Sequence, residues 1–157
     1  MTDIVPHLWY TKDAVEAANF YASIFPDSRV DHVSQMPAES PAGPPGSVDI
    51  VEFTLCGQPF TAFSAGKLDP FNHSISFMVN CESQAEVDRY WDALLDGGTP
   101  EQCGWLRDRY GLCWQIVPNR FHEMMKNGSP EQGKRVTEAM LKMVKFDVAE
   151  LERAYAG

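Results

Sequence analysis

The chain repeats itself. An apolar, β-branched and aromatic run at 4–10 leads into a helical pattern that opens on Asp13, and the same order returns at 74–80 and Ser83. One offset of 70 residues relates the two copies: Asp13 to Ser83, Glu16 to Glu86, Phe20 to Tyr90 and Tyr21 to Trp91. Matching helix caps and matching aromatics at a single offset mark a duplicated half-domain, because stacked solenoid repeats recur at roughly 20–50 residues.

Each copy reads as strand, helix and then a meander of short strands. In the first, Ala14, Ala17, Ala18, Tyr21, Ile24 and Phe25 recur at helical spacing after the strand 4–10, and Asp13 is placed to cap the helix. Strands follow at 29–33, 48–55 and 60–64. A Pro, Gly, Ala and Ser-rich stretch at 37–47 reads either as a flap over a pocket or as a solvated hairpin connection. In the second copy, Ser83 caps a helix whose buried stripe is Val87, Tyr90, Trp91, Leu94 and Leu95, and Gly97-Gly98 stops it. Short strands then end in a hairpin around Asp108-Arg109-Tyr110-Gly111. The expected fold class is α+β, two βαβββ modules at 4–65 and 74–118, followed by C-terminal helices in a tail at 119–157, all in one domain of 157 residues. Within the tail, Asn119 is placed to cap a short helix, and Ser129-Pro130-Glu131-Gln132 opens a longer one expected to run to about Lys145.

Charge and cysteine usage narrow the function. A formal net charge of −9 disfavours nucleic acid as a partner, since phosphate neutralisation needs clustered Lys and Arg. No apolar run approaches the roughly 20 residues of a membrane span, and the first residues lack a signal-peptide pattern. Cys56, Cys81, Cys103 and Cys113 form no C-x-x-C pair, and they read as reduced, small buried hydrophobes of a cytoplasmic protein. The Met-rich tail, with Met140 and Met143 on one stripe, leads to the expectation of a homodimer sealed by the C-terminal helices.

Local sequence adds a resemblance. Pro6-His7-Leu8-Trp9-Tyr10, Glu16-Ala17-Ala18-Asn19-Phe20-Tyr21, Ser74-Ile75-Ser76-Phe77, and above all Cys103-Gly104-Trp105-Leu106-Arg107-Asp108 with Gly111-Leu112-Cys113-Trp114-Gln115-Ile116-Val117-Pro118 resemble the PhnB-like branch of the glyoxalase/bleomycin resistance/dioxygenase, or vicinal-oxygen-chelate, superfamily. That branch is labelled the 3-demethylubiquinone-9 3-methyltransferase family. The resemblance implies a small organic molecule bound in a cavity between the modules. It also implies a divalent metal, where one is present, held by His, Glu or Gln from the first and last strands of each module.

On this chain the implied ligands are His7 on the first strand and Gln115 on the last. The strand 60–64 supplies none, and on the fifth strand the matching position is nearest Ser74, with His73 one residue away. A set this short leads to the expectation that no metal is bound. Each residue also has a structural reading: His7 as a histidine bonded to backbone, Gln115 as an amide serving a neighbouring loop. Glu52, flanked by apolar residues on its strand, is a candidate proton-transfer carboxylate or a solvent-facing strand residue. Trp9, Phe77, Trp105 and Trp114 are candidates for an aromatic pocket wall or for ordinary core. Three functional readings follow from the resemblance. The first is a small-molecule protein with metal-assisted lyase, isomerase or dioxygenase activity. The second is a non-catalytic binding or sequestering protein of the drug-resistance type. The third is a methyltransferase, carried by the family label alone, because no strand here is followed by the Gly-rich turn that a methyl donor's doubly wound fold uses.

Overall fold

A computed structural model describes residues 1–67 and 69–157 and divides the chain into two compact units, 1–70 and 71–157. The first unit contains β1 (His7–Tyr10), α1 (Ala14–Ile24), β2 (Arg29–Gln35), β3 (Asp49–Leu55) and β4 (Gln58–Ser64). The second contains β5 (Phe77–Cys81), α2 (Gln84–Leu95), β6 (Thr99–Pro100), β7 (Trp105–Arg107) and β8 (Cys113–Pro118). Its tail helices are α3 (Asn119–Asn127), α4 (Pro130–Met140) and α5 (Val148–Ala156). The sheets have the same order, β1-β4-β3-β2 and β5-β8-β7-β6, with the first and last strands of each module parallel neighbours. The α+β fold of duplicated βαβββ modules with C-terminal helices is therefore observed. The offset of 70 holds for the starts of β1 and β5 (His7, Phe77) and of α1 and α2 (Ala14, Gln84).

Each sheet turns one face to its helix. In the first unit Leu8, Tyr10, Val51, Phe53 and Ala62 are buried with Ala14, Ala17, Ala18 and Tyr21 of α1. Three alanines let the helix lie close to the strands, and the Tyr10 and Tyr21 hydroxyls meet at 3.1 Å. In the second, Val87, Trp91 and Leu94 of α2 are buried with Leu106, Trp114 and Ile116. Segment 37–47 is a hairpin connection continuing the β2–β3 ladder, with Met36 N–H donating to Val48 O and Gly46 N–H to Met36 O.

Several local expectations need correction, beginning with the first strand, which starts at His7 rather than at 4. Asp13 sits at the N-cap of α1 but makes no side-chain cap; the Ala14 N–H instead donates to Ser64 Oγ of β4 at 3.0 Å. Ser83 does cap α2, accepting from the Glu86 N–H. Asn119 lies inside α3, whose cap position is Pro118. The fifth strand begins at Phe77 rather than 74, because the Asn72 side chain accepts the Ser74 N–H and holds 72–74 in a turn.

The largest departure is α4, which stops at Met140 instead of running to about 145. The carbonyls of Met143 and Val144 accept the N–H groups of Cys103 and Gly104, both at 2.8 Å, so the chain leaves the helix to pair with the β6–β7 connection. That crossing needs Gly104. Its φ is +81°, and a β-carbon there would overlap the Phe146 ring and the Ile116 carbonyl. Phe146 is itself buried and has no free direction in which to yield. Gly104→Ala is expected to cost about 2 kcal/mol or more of unfolding free energy, since it adds both backbone strain and overpacking. Urea denaturation of the variant beside the parent protein measures this.

Candidate functional site

Pleating leaves each sheet a second face, away from its helix, and the polar and aromatic candidates divide between the two faces. In the first unit the register aligns His7, Thr61, Glu52 and His32 as one row across all four strands, and Trp9, Phe63, Ile50 and Ser34 as the next. His7, Trp9 and Glu52 are exposed on this open face. His7 Nδ1 lies 2.6 Å from Thr61 Oγ1, which fixes the ring plane. Phe63 is flanked by His7 at 4.6 Å and by Trp9, edge-on, at 4.5 Å between centroids. Trp9 Nε1–H donates to Gly66 O. His7 is thus oriented by a side chain rather than by backbone, and Glu52 lies two strands away in the same row.

In the second unit the aligned row Phe77, Trp114 and Leu106 faces α2. Trp114 is 3% exposed, and its indole N–H donates to Asp108 Oδ2 at 2.9 Å. Phe77 packs against the Trp114 ring at 5.6 Å. These two of the four pocket-wall candidates therefore lie in helix-facing core, while Trp9 and Trp105 stand on open faces.

The open face of the second unit carries Met78, Gln115 and Trp105 in one row, with Cys113 opposite Arg107 in the next. Gln115 donates from Nε2 to Ser76 Oγ at 2.9 Å. Beside them, His73 Nε2 meets Glu101 Oε2 at 2.6 Å, and its ring lies 5.8 Å from Trp105. Arg107 Nη2 approaches His73 Nδ1 at 3.2 Å, and its Nε lies 3.6 Å from Glu101 Oε1. Because a guanidinium only donates, His73 Nδ1 accepts from it and the imidazole proton sits on Nε2, donating to Glu101. Among the described residues Glu101 Oε1 is buried without a hydrogen-bond partner, the Arg107 contact being an ion pair only. One ligand atom each from His73, Glu101 and Cys113 lies within 4.8 Å of the other two.

The first-and-last-strand metal pattern fits these residues poorly. The first unit offers His7 beside a threonine, the second offers Gln115 beside a serine, and β5 opens on Phe77. Where three donors do converge, they are His73, Glu101 and Cys113. In the sequence His73 stands out only as a neighbour of Ser74, Glu101 and Arg107 carry no distinguishing pattern, and Cys113 reads as a buried hydrophobe, which it is by exposure. The available signal was the alternation along β8, which puts Cys113 on the same face as Gln115.

Residues 2–117 match the model of the family described as 3-demethylubiquinone-9 3-methyltransferase. The chain belongs to this family. A family member of known structure, the putative 3-demethylubiquinone-9 3-methyltransferase PhnB protein from Bacillus cereus, is 28% identical with a TM-score of 0.66. The match covers 74% of this chain and 99% of that one. A protein from Pseudomonas aeruginosa is 20% identical with a TM-score of 0.57, over 75% and 98% of the two chains. The fosfomycin resistance protein FosX from Listeria monocytogenes, complexed with Mn(II) and sulfate ion, shares the fold at 14% identity and a TM-score of 0.52, over 74% and 91%. PhnB and FosX place the family in the glyoxalase/vicinal-oxygen-chelate superfamily. None of the curated proteins matches the sequence. Among the described residues, no helix is long and apolar enough to cross a membrane.

The thiols differ in environment. Burial pushes Cys81 up to about 11, helped by Glu86 and opposed by Arg89. Burial also raises Cys113, with Arg107 pulling it down and Glu101 and Asp108 pushing it up. Cys56 is exposed, although partial desolvation and then Asp27 raise its thiol as well. Since the thiolate is the reactive form, iodoacetamide at about pH 8 is expected to modify Cys56 slowly and to leave Cys81 and Cys113 unmodified until the protein is unfolded. Mass spectrometry of peptides from native and denatured samples reads the difference.

Proposed function

We propose that the chain binds a small, planar, oxygen-bearing organic molecule on the open face of its second sheet. The observation that carries this reading is the grouping of Trp105 with Gln115, Arg107 and His73, the strand residues among them on the sheet face opposite Trp114 and Leu106. An indole offers a flat apolar platform, and an amide, a guanidinium and an imidazole beside it offer hydrogen bonds to ligand oxygens. Membership of a family whose members share the vicinal-oxygen-chelate fold supports the same reading. The family's description names a methyl transfer. The connections from β1 to α1 and from β5 to α2 contain no glycine, and both sheets are mixed rather than doubly wound, so only the class of molecule in that description suits this chain.

Catechols and hydroxyquinones are suitable probes, with saturated diols as the comparison. Titration followed by tryptophan fluorescence should give saturable binding of the planar compounds, and Trp105→Ala should weaken it about tenfold or more, some 1.4 kcal/mol. Trp114→Phe should act through stability instead. Equal binding of saturated and planar compounds, or an unchanged affinity in Trp105→Ala, would remove this site.

We also propose a homodimer, sealed at Leu141 and Val144. Met140 and Met143 are half-buried, whereas Leu141 at 60% and Val144 at 42% are exposed on the turn that ends α4. Sedimentation of the native protein is expected to show a dimer, and Leu141→Glu with Val144→Glu should shift it to monomer without loss of helix content.

A further inference from the structure

We infer that His73, Glu101 and Cys113 form a divalent-cation site contained in the second unit, and that this site takes a borderline metal of the zinc class. It is separate from the first-and-last-strand positions His7 and Gln115, and it does not depend on the organic ligand proposed above.

The donors come from three places that the module brings together. His73 is in the turn before β5, Glu101 follows β6, and Cys113 opens β8. The Glu101 backbone N–H donates to Trp105 O at 2.9 Å, which seats its side chain beside β7. Cys113 is opposite Arg107 in the β7–β8 ladder and fully buried, so its sulfur forms the floor of the group; His73 is exposed and forms the outer side. Imidazole, carboxylate and thiolate are the ligand types of zinc sites, and three of them leave a coordination position for an external oxygen donor.

The spacing suits such an ion after small side-chain movement. Zinc bonds of about 2.0–2.3 Å set neighbouring ligand atoms roughly 3.3–3.8 Å apart. The His73–Glu101 contact of 2.6 Å must open a little, and since all three ligand atoms lie within 4.8 Å of one another, no separation need close by more than about 1 Å. His73 can do this because its turn is exposed. Among the described residues Glu101 Oε1 is buried without a hydrogen-bond donor and faces only the Arg107 guanidinium at 3.6 Å, too far for a hydrogen bond, so a metal ion could take the place that Arg107 fills imperfectly.

Thiolate decides the selectivity. Sulfur disfavours magnesium and manganese, which prefer all-oxygen or oxygen-rich shells, and favours zinc or cobalt. Arg107 competes for the same place: its guanidinium now faces both His73 Nδ1 and Glu101 Oε1. It is 36% exposed on its side chain and has solvent to turn into. Removing its charge should therefore strengthen cation binding, an effect opposite in sign to that of removing a ligand.

The test is titration of the full-length, chelator-treated protein with cobalt(II), followed by displacement with zinc(II), without organic ligand. One cobalt per chain is expected, with visible bands of a low-coordinate ion and a sulfur-to-cobalt charge-transfer band in the near ultraviolet. Loss of an outer-shell group typically costs about 10–100-fold in affinity, so Cys113→Ser should cost at least about 100-fold and abolish the charge-transfer band. His73→Ala, at an exposed position where folding is not at stake, should weaken binding similarly; Arg107→Gln should tighten it, and His7→Ala should change nothing. A charge-transfer band that survives Cys113→Ser would assign the cobalt to another cysteine and overturn the site. Binding lost in His7→Ala but kept in His73→Ala would return the metal to the first-and-last-strand pattern. An absence of cobalt binding would also overturn it. None of these outcomes bears on Trp105 and planar compounds, which are measured with metal chelated.

Discussion

The second unit is organised around one buried carboxylate. Asp108 is 3% exposed, and its two oxygens accept the Tyr110 N–H at 2.8 Å, the Leu112 N–H at 3.1 Å and the Trp114 indole N–H at 2.9 Å. Hydrogen bonds to an ionised acceptor are roughly twice as strong as neutral ones, and each buried donor here would otherwise be orphaned. Two of the bonds shape the β7–β8 turn, and the third holds the largest side chain of β8 against α2. With Trp114 turned toward the helix, pleating sends Cys113 and Gln115 to the other face. The ladder then sets Cys113 opposite Arg107 and Gln115 opposite Trp105. The candidates on β7 and β8, Trp105, Arg107, Cys113 and Gln115, thus take their direction from the turn that Asp108 holds; a slip of one residue would exchange them with the core side chains.

The tail is fastened to the same module by polar contacts at its helix start. Gln84 donates to Phe146 O at 3.0 Å and accepts the Val148 N–H at 2.8 Å, while Lys145 pairs with Asp88 at 2.7 Å. The Lys145 hydrogen bond is the largest of the influences that hold the Asp88 carboxyl below its usual range. Phe146 packs into the space that Gly104 leaves by lacking a side chain, and Phe121 meets its ring at 5.2 Å. The motif Cys103-Gly104-Trp105 therefore serves two purposes at once. Its backbone receives the tail, and its tryptophan stands on the open face.

The two modules share a topology but not a chemistry. At the first-strand position one carries His7 and the other Phe77, and the open face of the first unit offers a histidine–aromatic stack where the second gathers His73, Glu101, Arg107 and Cys113. Duplication constrains the residues that face the helices, since those must fill a core of fixed shape. The opposite faces of the two sheets carry different side chains at matching positions.

Much of the fold was legible in the sequence because its causes are local. The spacing of Val87, Trp91 and Leu94, the serine caps at Ser83 and Ser129, and the period of 70 residues depend on nearby residues or on simple repetition. Where a distant partner supplied the hydrogen bond, local reading failed: Ser64 took the capping role given to Asp13, and Cys103 and Gly104 drew the chain out of α4. The site shows the same division. The resemblance named His7 and Gln115, and aromatic character named Trp9, Phe77, Trp105 and Trp114 together as pocket wall or core; the register of the paired strands is what turns Phe77 and Trp114 to the helix and leaves Trp9 and Trp105 on the other faces. The meeting of His73, Glu101 and Cys113 spans three turns and strand ends with no characteristic spacing. Such a group is created by the closing of the sheet, and no local pattern in the chain encodes it.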